Sequence, residues 1–206
     1  ESIGMNLKPA FDQALTEGLN RLVWHAFTSS PAELGLPGQE YFAGTHLNPN
    51  VTWWRDAGPF FLYLNRSQFL MQQGHPVNDV LYYYGDNVPN FVRLKRDDPA
   101  KVLPSYDYDV TSTDALLDRM LIGSGDLHTP EGIHYRALGL PRSRVVPLAV
   151  LELAQRYVQD GGTLIGLRPL RSQGIVSESD AARFTAISDA LWIPCEQSAD
   201  HRSKAG

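Results

Sequence analysis

The stretch Pro37-Gly-Gln-Glu-Tyr-Phe-Ala-Gly-Thr-His-Leu-Asn-Pro-Asn-Val-Thr-Trp-Trp54 concentrates the side chains a carbohydrate site needs. Aromatic faces stack on the apolar C–H face of a sugar ring, while amides and carboxylates bond its hydroxyls. Trp53 and Trp54 are the stacking candidates here, and Glu40, His46 and Asn48 the polar ones. His25, placed at the C-terminal end of an apolar run, joins them, because barrel enzymes carry their chemistry at that end of a strand. The competing interpretation makes Trp53 and Trp54 packing residues and His46 a hydrogen-bonded loop histidine. Four carboxylates are near enough in sequence to act as acid or base: Glu1, Glu33, Glu40 and Asp56. Glycoside hydrolysis needs two carboxyls flanking the scissile bond, and spacing alone does not choose a pair.

The elements that must position these groups follow from periodicity. Leu7, Phe11, Ala14 and Leu15 fall on one face of a helix from Leu7 to Gly18, with Pro9 tolerated in its first turn. Arg21 to Phe27 has the length and apolar content of a strand buried on both faces. A long Pro-, Gly- and Asn-rich loop from Thr28 to Pro59 follows, and loops of that length inside compact domains are usually functional. Phe60 to Gln73 is a second helix, stopped by Gly74 and Pro76.

From about Asn78 the pattern changes to strands alternating with helices, which predicts a parallel sheet. Strands are expected at Asp79–Tyr84, Tyr106–Val110, Tyr135–Leu140 and, buried, at Thr163–Leu167. A hairpin is expected around Gly123-Ser-Gly125 and Pro130-Glu-Gly132. Helices are expected from a Thr113 cap to Met120, from Pro147 to Asp160, and after a Ser177/Asp180 capping box. Residues 1–77 and 78–206 therefore read as two units, the second a small doubly wound α/β domain.

That second unit offers little chemistry at sequence level. It has no Gly-x-Gly-x-x-Gly or Walker pattern, and Cys195, the only cysteine of the chain, is far from any strand-to-helix turn. Tyr82-Tyr83-Tyr84 alternates faces and reads as packing; Asp107 and Asp109 share a strand face, but a pair that near a strand end is weak evidence for a metal site. Its role reads as structural. The triplets Asn50-Val-Thr52 and Asn65-Arg-Ser67 fit the glycosylation pattern, and nothing is assigned to them.

Composition excludes several classes. Eighteen Lys+Arg against 23 Asp+Glu leave a net charge of −5, so no basic face exists for phosphate contacts and a nucleic-acid binder is not expected. Apolar runs are short and broken by charge, Gly or Pro, so none spans a bilayer. A single cysteine rules out an internal disulfide. The chain of 206 residues opens at Glu1 without an initiator Met or an apolar leader, and it reads as a piece of a longer polypeptide whose targeting signal, if any, lies elsewhere. Oligomeric state and compartment are left open.

Asn20-Arg-Leu-Val-Trp-His-Ala-Phe-Thr28 and Gly44-Thr-His-Leu-Asn-Pro-Asn-Val-Thr-Trp-Trp54 resemble glycoside hydrolase family 106, the α-L-rhamnosidases. Asp79-Val-Leu-Tyr-Tyr-Tyr-Gly-Asp86, Tyr106-Asp-Tyr-Asp-Val110, Tyr135-Arg-Ala-Leu-Gly-Leu-Pro141 and Gly162-Thr-Leu-Ile-Gly166 extend the resemblance to about Trp192. It implies the end of a catalytic (β/α)8 barrel over 1–77, with Arg21–Phe27 as its last strand. It also implies a non-catalytic domain similar to class I glutamine amidotransferases over 78–206. It further implies an inverting mechanism with two glutamates, one matched by Glu1, and a calcium ion near the sugar. The second carboxyl would lie outside this chain, so the 206 residues alone are expected to be inactive. The rival reading is a non-catalytic carbohydrate-binding or assembly module.

Overall fold

The computed structural model describes residues 7–42, 47–86, 88–92 and 95–192. The chain divides into two compact units at Gly74/His75.

In the first unit, α1 (Lys8–Thr16) starts with a proline in its first turn and ends before Gly18, whose φ of 102° no side-chain-bearing residue adopts readily. Helix α2 (Gly58–Met71) also begins with a proline and buries Phe60 and Leu64. Tyr63 of α2 donates to the Asp12 carboxylate of α1, which Lys8 also holds at 2.5 Å. The Lys8 ammonium and the Tyr63 hydroxyl together keep the Asp12 carboxyl below its ordinary value. Between the helices runs the extended segment 19–27. Its backbone is tied to α2 by side chains: Leu22 N–H donates to Gln68 Oε1 at 2.6 Å, and Gln72 donates to the Asn20 carbonyl at 2.8 Å.

This segment departs from the strand buried on both faces that its apolar content predicts. Its side chains alternate, with Leu22, Trp24 and Ala26 partly covered and Val23, His25 and Phe27 exposed, Val23 to 83%. Among the described residues its only ladder contact is an isolated parallel bridge from Phe27 to Leu47. Trp24 explains the covered face, meeting Phe11 of α1 and Phe61 of α2 edge-on at 5.2 and 6.2 Å.

The second unit is built on a four-stranded, all-parallel sheet. In chain order its elements are β1 (Val80–Tyr83), β2 (Tyr108–Thr111), α3 (Thr113–Arg119), β3 (Leu121–Gly123), β4 (Asp126–His128), β5 (His134–Tyr135) and β6 (Ala137–Gly139). Then come β7 (Val145–Val146), α4 (Leu148–Gln159), β8 (Thr163–Ile165), β9 (Arg171–Ser172) and α5 (Glu178–Leu191). The main sheet has the order β2-β1-β6-β8, with Val80 opposite both Tyr108 and Ala137. β3-β4-β5 form an antiparallel meander, turned by Ser124 and Gly125 at φ 57° and 78°, the signature of a two-residue hairpin loop. β7 and β9 pair in parallel.

Period-two alternation splits the β1 tyrosines. Tyr83, with Leu81, Leu138 and Leu140, faces α3 and α4 through Leu116, Val150, Leu153 and Tyr157. Burial pushes the Tyr83 hydroxyl up to about 12, and it bonds Thr113 at 2.9 Å. Tyr82 faces the other way, with Val80, Tyr108 and Ala137, beneath Val102 and Leu103. Its ring lies so close to Gly139 that a Cβ there would fall 2.3 Å from it. Both rings are packing residues, as their alternation predicts.

Four expectations need correction. The strand order is that of a doubly wound sheet, but among the described residues helices cover only one face: α3 and α4 lie there, a loop covers the other, and α5 packs outside α4 through Phe184 and Ile187 on Leu151. The run Tyr135–Leu140 is two strands in two sheets, broken where the N–H groups of Arg136 and Ala137 converge on the Asp79 carbonyl at 2.7 and 3.1 Å. β8 is an edge strand and only partly covered, not buried. Ser112, not Thr113, caps α3, its hydroxyl accepting from Ala115 N–H. Ser177 caps α5 as predicted.

Candidate functional site

The uncovered face of segment 19–27 and the loop after it form the candidate site in the first unit. Two packed helices fix the orientation of this face, because Trp24 anchors the opposite side between Phe11 and Phe61. His25 therefore projects outward, where the Tyr41 ring meets it edge-on at 5.1 Å. Phe42 follows Tyr41 at 4.6 Å.

The approach of the loop to this point depends on Gly38. It holds a φ of 83°, and a Cβ on it would lie 2.0 Å from Ser30 Oγ and 2.7 Å from Asn50 Nδ2. The Ser30 hydroxyl accepts from Gln39 N–H at 2.8 Å, closing the loop upon itself. Glu40 is exposed, between that closure and Tyr41.

Asn48 is 1% exposed and turns the chain locally, its Oδ1 accepting from Asn50 N–H at 2.8 Å. Its Nδ2 has no partner among the described residues, leaving donor capacity that a hydroxyl or carbonyl oxygen would take up. Trp53 and Trp54 adjoin at 6.3 Å, but Trp54 is engaged on its other sides by Phe27 at 5.9 Å and Phe61 at 5.7 Å. The aromatic contacts thus fall into two groups. His25, Tyr41 and Phe42 form one; Trp53 and Trp54 belong to the other, which continues into the packing of α1 and α2. Glu33 and Asp56 sit in exposed 3-10 turns at 32–34 and 54–56. Glu1 and His46 lie outside the described residues.

Tyr41 is the member of this site that sequence reasoning missed. Its contact with His25 spans 16 positions of loop, and the signal available was its place beside Glu40 in the same aromatic-rich run. The described residues contain no group of three or more His, Cys, Asp or Glu side chains able to hold a metal ion. Asn48 directs an N–H rather than an oxygen into its surroundings, so these residues by themselves do not compose a calcium site. In the second unit the Asp107 and Asp109 carboxylates are taken by Lys95 and by the Tyr135 hydroxyl at 2.8 Å.

Residues 2–206 match the family model of the alpha-L-rhamnosidases, glycoside hydrolase family 106, and the chain belongs to that family. It is 35% identical over 187 residues to a Formosa agariphila protein provisionally named a beta-glucuronidase; the match covers 90% of this chain and 16% of that protein. The structure of a rhamnosidase from Novosphingobium sp. PP1Y superposes with a TM-score of 0.76 and 29% identity, over 92% of this chain and 18% of that one. The chain thus spans less than a fifth of the length of either relative. No helix among the described residues is long and apolar enough to cross a membrane.

Proposed function

We propose that this chain supplies one wall of the sugar site in a glycoside hydrolase that removes terminal α-L-rhamnosyl residues. The observation that carries the proposal is the two-faced segment 19–27. Trp24 is locked against two helices while Val23, His25 and Phe27 stand uncovered on the other side. A strand of a (β/α)8 barrel has this division, one face to the helices and one to the interior, with the site at its C-terminal end. On this reading 1–77 is the end of the barrel, and 78–206 is an accessory domain similar to class I glutamine amidotransferases but non-catalytic.

Loop composition favours a neutral sugar. Between Thr28 and Pro59 the loop holds one permanent cation, Arg55, against the carboxylates of Glu33, Glu40 and Asp56, a balance that does not favour a uronate carboxyl, whereas its aromatic side chains suit an apolar ring face and a methyl group. The glucuronidase name of the Formosa agariphila relative is therefore a weaker guide to substrate than the rhamnosidase match. His25, Asn48 and Glu40, with His46, bond hydroxyls, and Trp53 stacks on the ring. Glu1 acts as the general base that activates water opposite a second carboxyl supplied from outside these residues, giving inversion. A calcium ion near the sugar would draw its ligands from outside the described residues.

The test uses aryl α-L-rhamnoside and aryl β-D-glucuronide with a longer polypeptide that contains this segment, and with the 206-residue chain alone. Turnover of the rhamnoside by the longer protein only, abolished in kcat by Glu1→Gln with little change in KM, is expected. Preferential turnover of the glucuronide, or rhamnoside turnover by the 206 residues alone, would overturn the proposal.

A further inference from the structure

The main sheet of the second unit has a topological switch point. From β1 the chain moves outward to β2, then returns to the other side of β1 with β6 and goes on to β8. Connections diverge there, and in open parallel sheets the crevice beyond the carboxyl ends of the two diverging strands is where ligands bind. In this protein that position is a cleft of about 420 Å³, lined by Tyr83 and Tyr84 at the end of β1 and by Leu140, Pro141 and Arg142 beyond β6. Its size is that of a small-molecule site.

The rim is held in place by contacts of its own. Asn90 donates to the Gly85 carbonyl at 2.7 Å, fixing the turn after β1. Arg142 donates to the Pro99 carbonyl at 2.9 Å, and Asp98 accepts from the Tyr82 hydroxyl at 2.9 Å and from Leu103 N–H at 2.8 Å. Within this frame Phe91, which lines the cleft, is 77% exposed, an apolar face the fold leaves uncovered.

We propose that this cleft binds a neutral saccharide. The lining includes one carboxylate, Asp97, and one guanidinium, Arg142, so it offers an acceptor and a donor with no net charge. An anion would meet Asp97 and a cation Arg142, while hydroxyls, which both donate and accept, satisfy the two together. Phosphate is further disfavoured because the neighbouring helix α3 carries Asp114 in its first turn and its end is capped by Ser112. Phe91 and Tyr84 supply the flat apolar faces on which a pyranose ring stacks. This assigns a binding role to a domain whose sequence reads as purely structural, and it stands independently of the reading of the first unit.

The experiment records amide NMR spectra of the isotope-labelled 206-residue chain during titration with methyl α-L-rhamnopyranoside and methyl β-D-glucopyranoside, with inorganic phosphate as the anion control. Saturable shifts centred on Tyr84, Gly139 and Arg142, produced by at least one glycoside and not by phosphate, are expected. Phe91→Ala should weaken this binding by about tenfold, and Asp97→Asn should weaken it too. Both side chains are exposed, so melting temperature should be unchanged. The proposal is overturned if neither glycoside shifts these amides, if phosphate does so instead, or if the shifts survive both substitutions. It is also overturned if they vanish in His25→Ala, which would place the sugar in the first unit.

Discussion

The Tyr41 ring stands edge-on to His25 with their centroids 5.1 Å apart and their planes inclined by 64°. The contact joins the exposed face of segment 19–27 to a loop that Gly38 and the Ser30–Gln39 hydrogen bond fold back upon it. A histidine braced by a neighbouring ring has fewer rotamers to lose when it bonds a ligand, which is how a scaffold converts packing into affinity.

The two tryptophans separate by function. Trp54 lies between Phe27 and Phe61 and is partly covered, so Trp54→Ala should destabilise the first unit by about 2 kcal/mol, less than the ~3–5 kcal/mol of a fully buried aromatic. Among the described residues the ring contact of Trp53 is with Trp54, and Trp53→Ala in the longer protein should lower kcat/KM for an aryl rhamnoside with a small effect on melting. Thermal melts and steady-state kinetics on the two variants check this, and equal melting losses with equal kinetics would refute the division.

Acid should loosen the second unit through Asp98. Burial alone pushes its carboxyl up, but N–H groups of Leu103 and Ala100 and the Tyr82 hydroxyl outweigh it and hold the group below its ordinary 3.8. The folded value is the lower one, so the stabilisation is complete above the unfolded value and is lost as pH falls through the folded one. Denaturant midpoints measured downward from pH 5 should fall less steeply in Asp98→Asn than in the parent, and parallel curves would exclude this role.

Capping of α3 is a direct check on local structure. Ser112→Ala removes the acceptor for Ala115 N–H and should cost about 1 kcal/mol, whereas Thr113→Ala spares the cap and loses only contacts with Asp86 and Tyr83. Urea unfolding of both variants measures the difference.

Much of this architecture was legible because local rules and tertiary packing agree. The proline in the first turn of α1 and the Ser177 cap of α5 place those helices within a residue or two. Strand–helix alternation gave the parallel sheet. What failed was long-range. Val23 and Phe27 look like core residues, and only the positions of α1 and α2 decide that Trp24 is covered and they are not. Tyr135–Leu140 reads as one strand because nothing local announces that Arg136 and Ala137 will share the Asp79 carbonyl. The cleft beyond β1 and β6 is assembled from residues between Tyr82 and Ser143, so no single motif carries it. At the candidate site, the loop was evident from composition, but the separation of His25 and Tyr41 from the tryptophans was not.

The division of segment 19–27 into a structural and a functional face is the claim on which the sugar-site account rests, and one paired measurement addresses it. In the longer protein, kcat/KM for an aryl α-L-rhamnoside and the melting temperature are determined for His25→Ala and Trp24→Ala. Loss of a hydroxyl-bonding partner should cost His25→Ala about 1–3 kcal/mol in transition-state binding, roughly 5- to 150-fold in kcat/KM, at unchanged melting temperature. Trp24→Ala should melt earlier and keep most of its kcat/KM when assayed well below its transition. If His25→Ala retains full kcat/KM, or loses it only in step with melting temperature, the exposed face is not part of the sugar site.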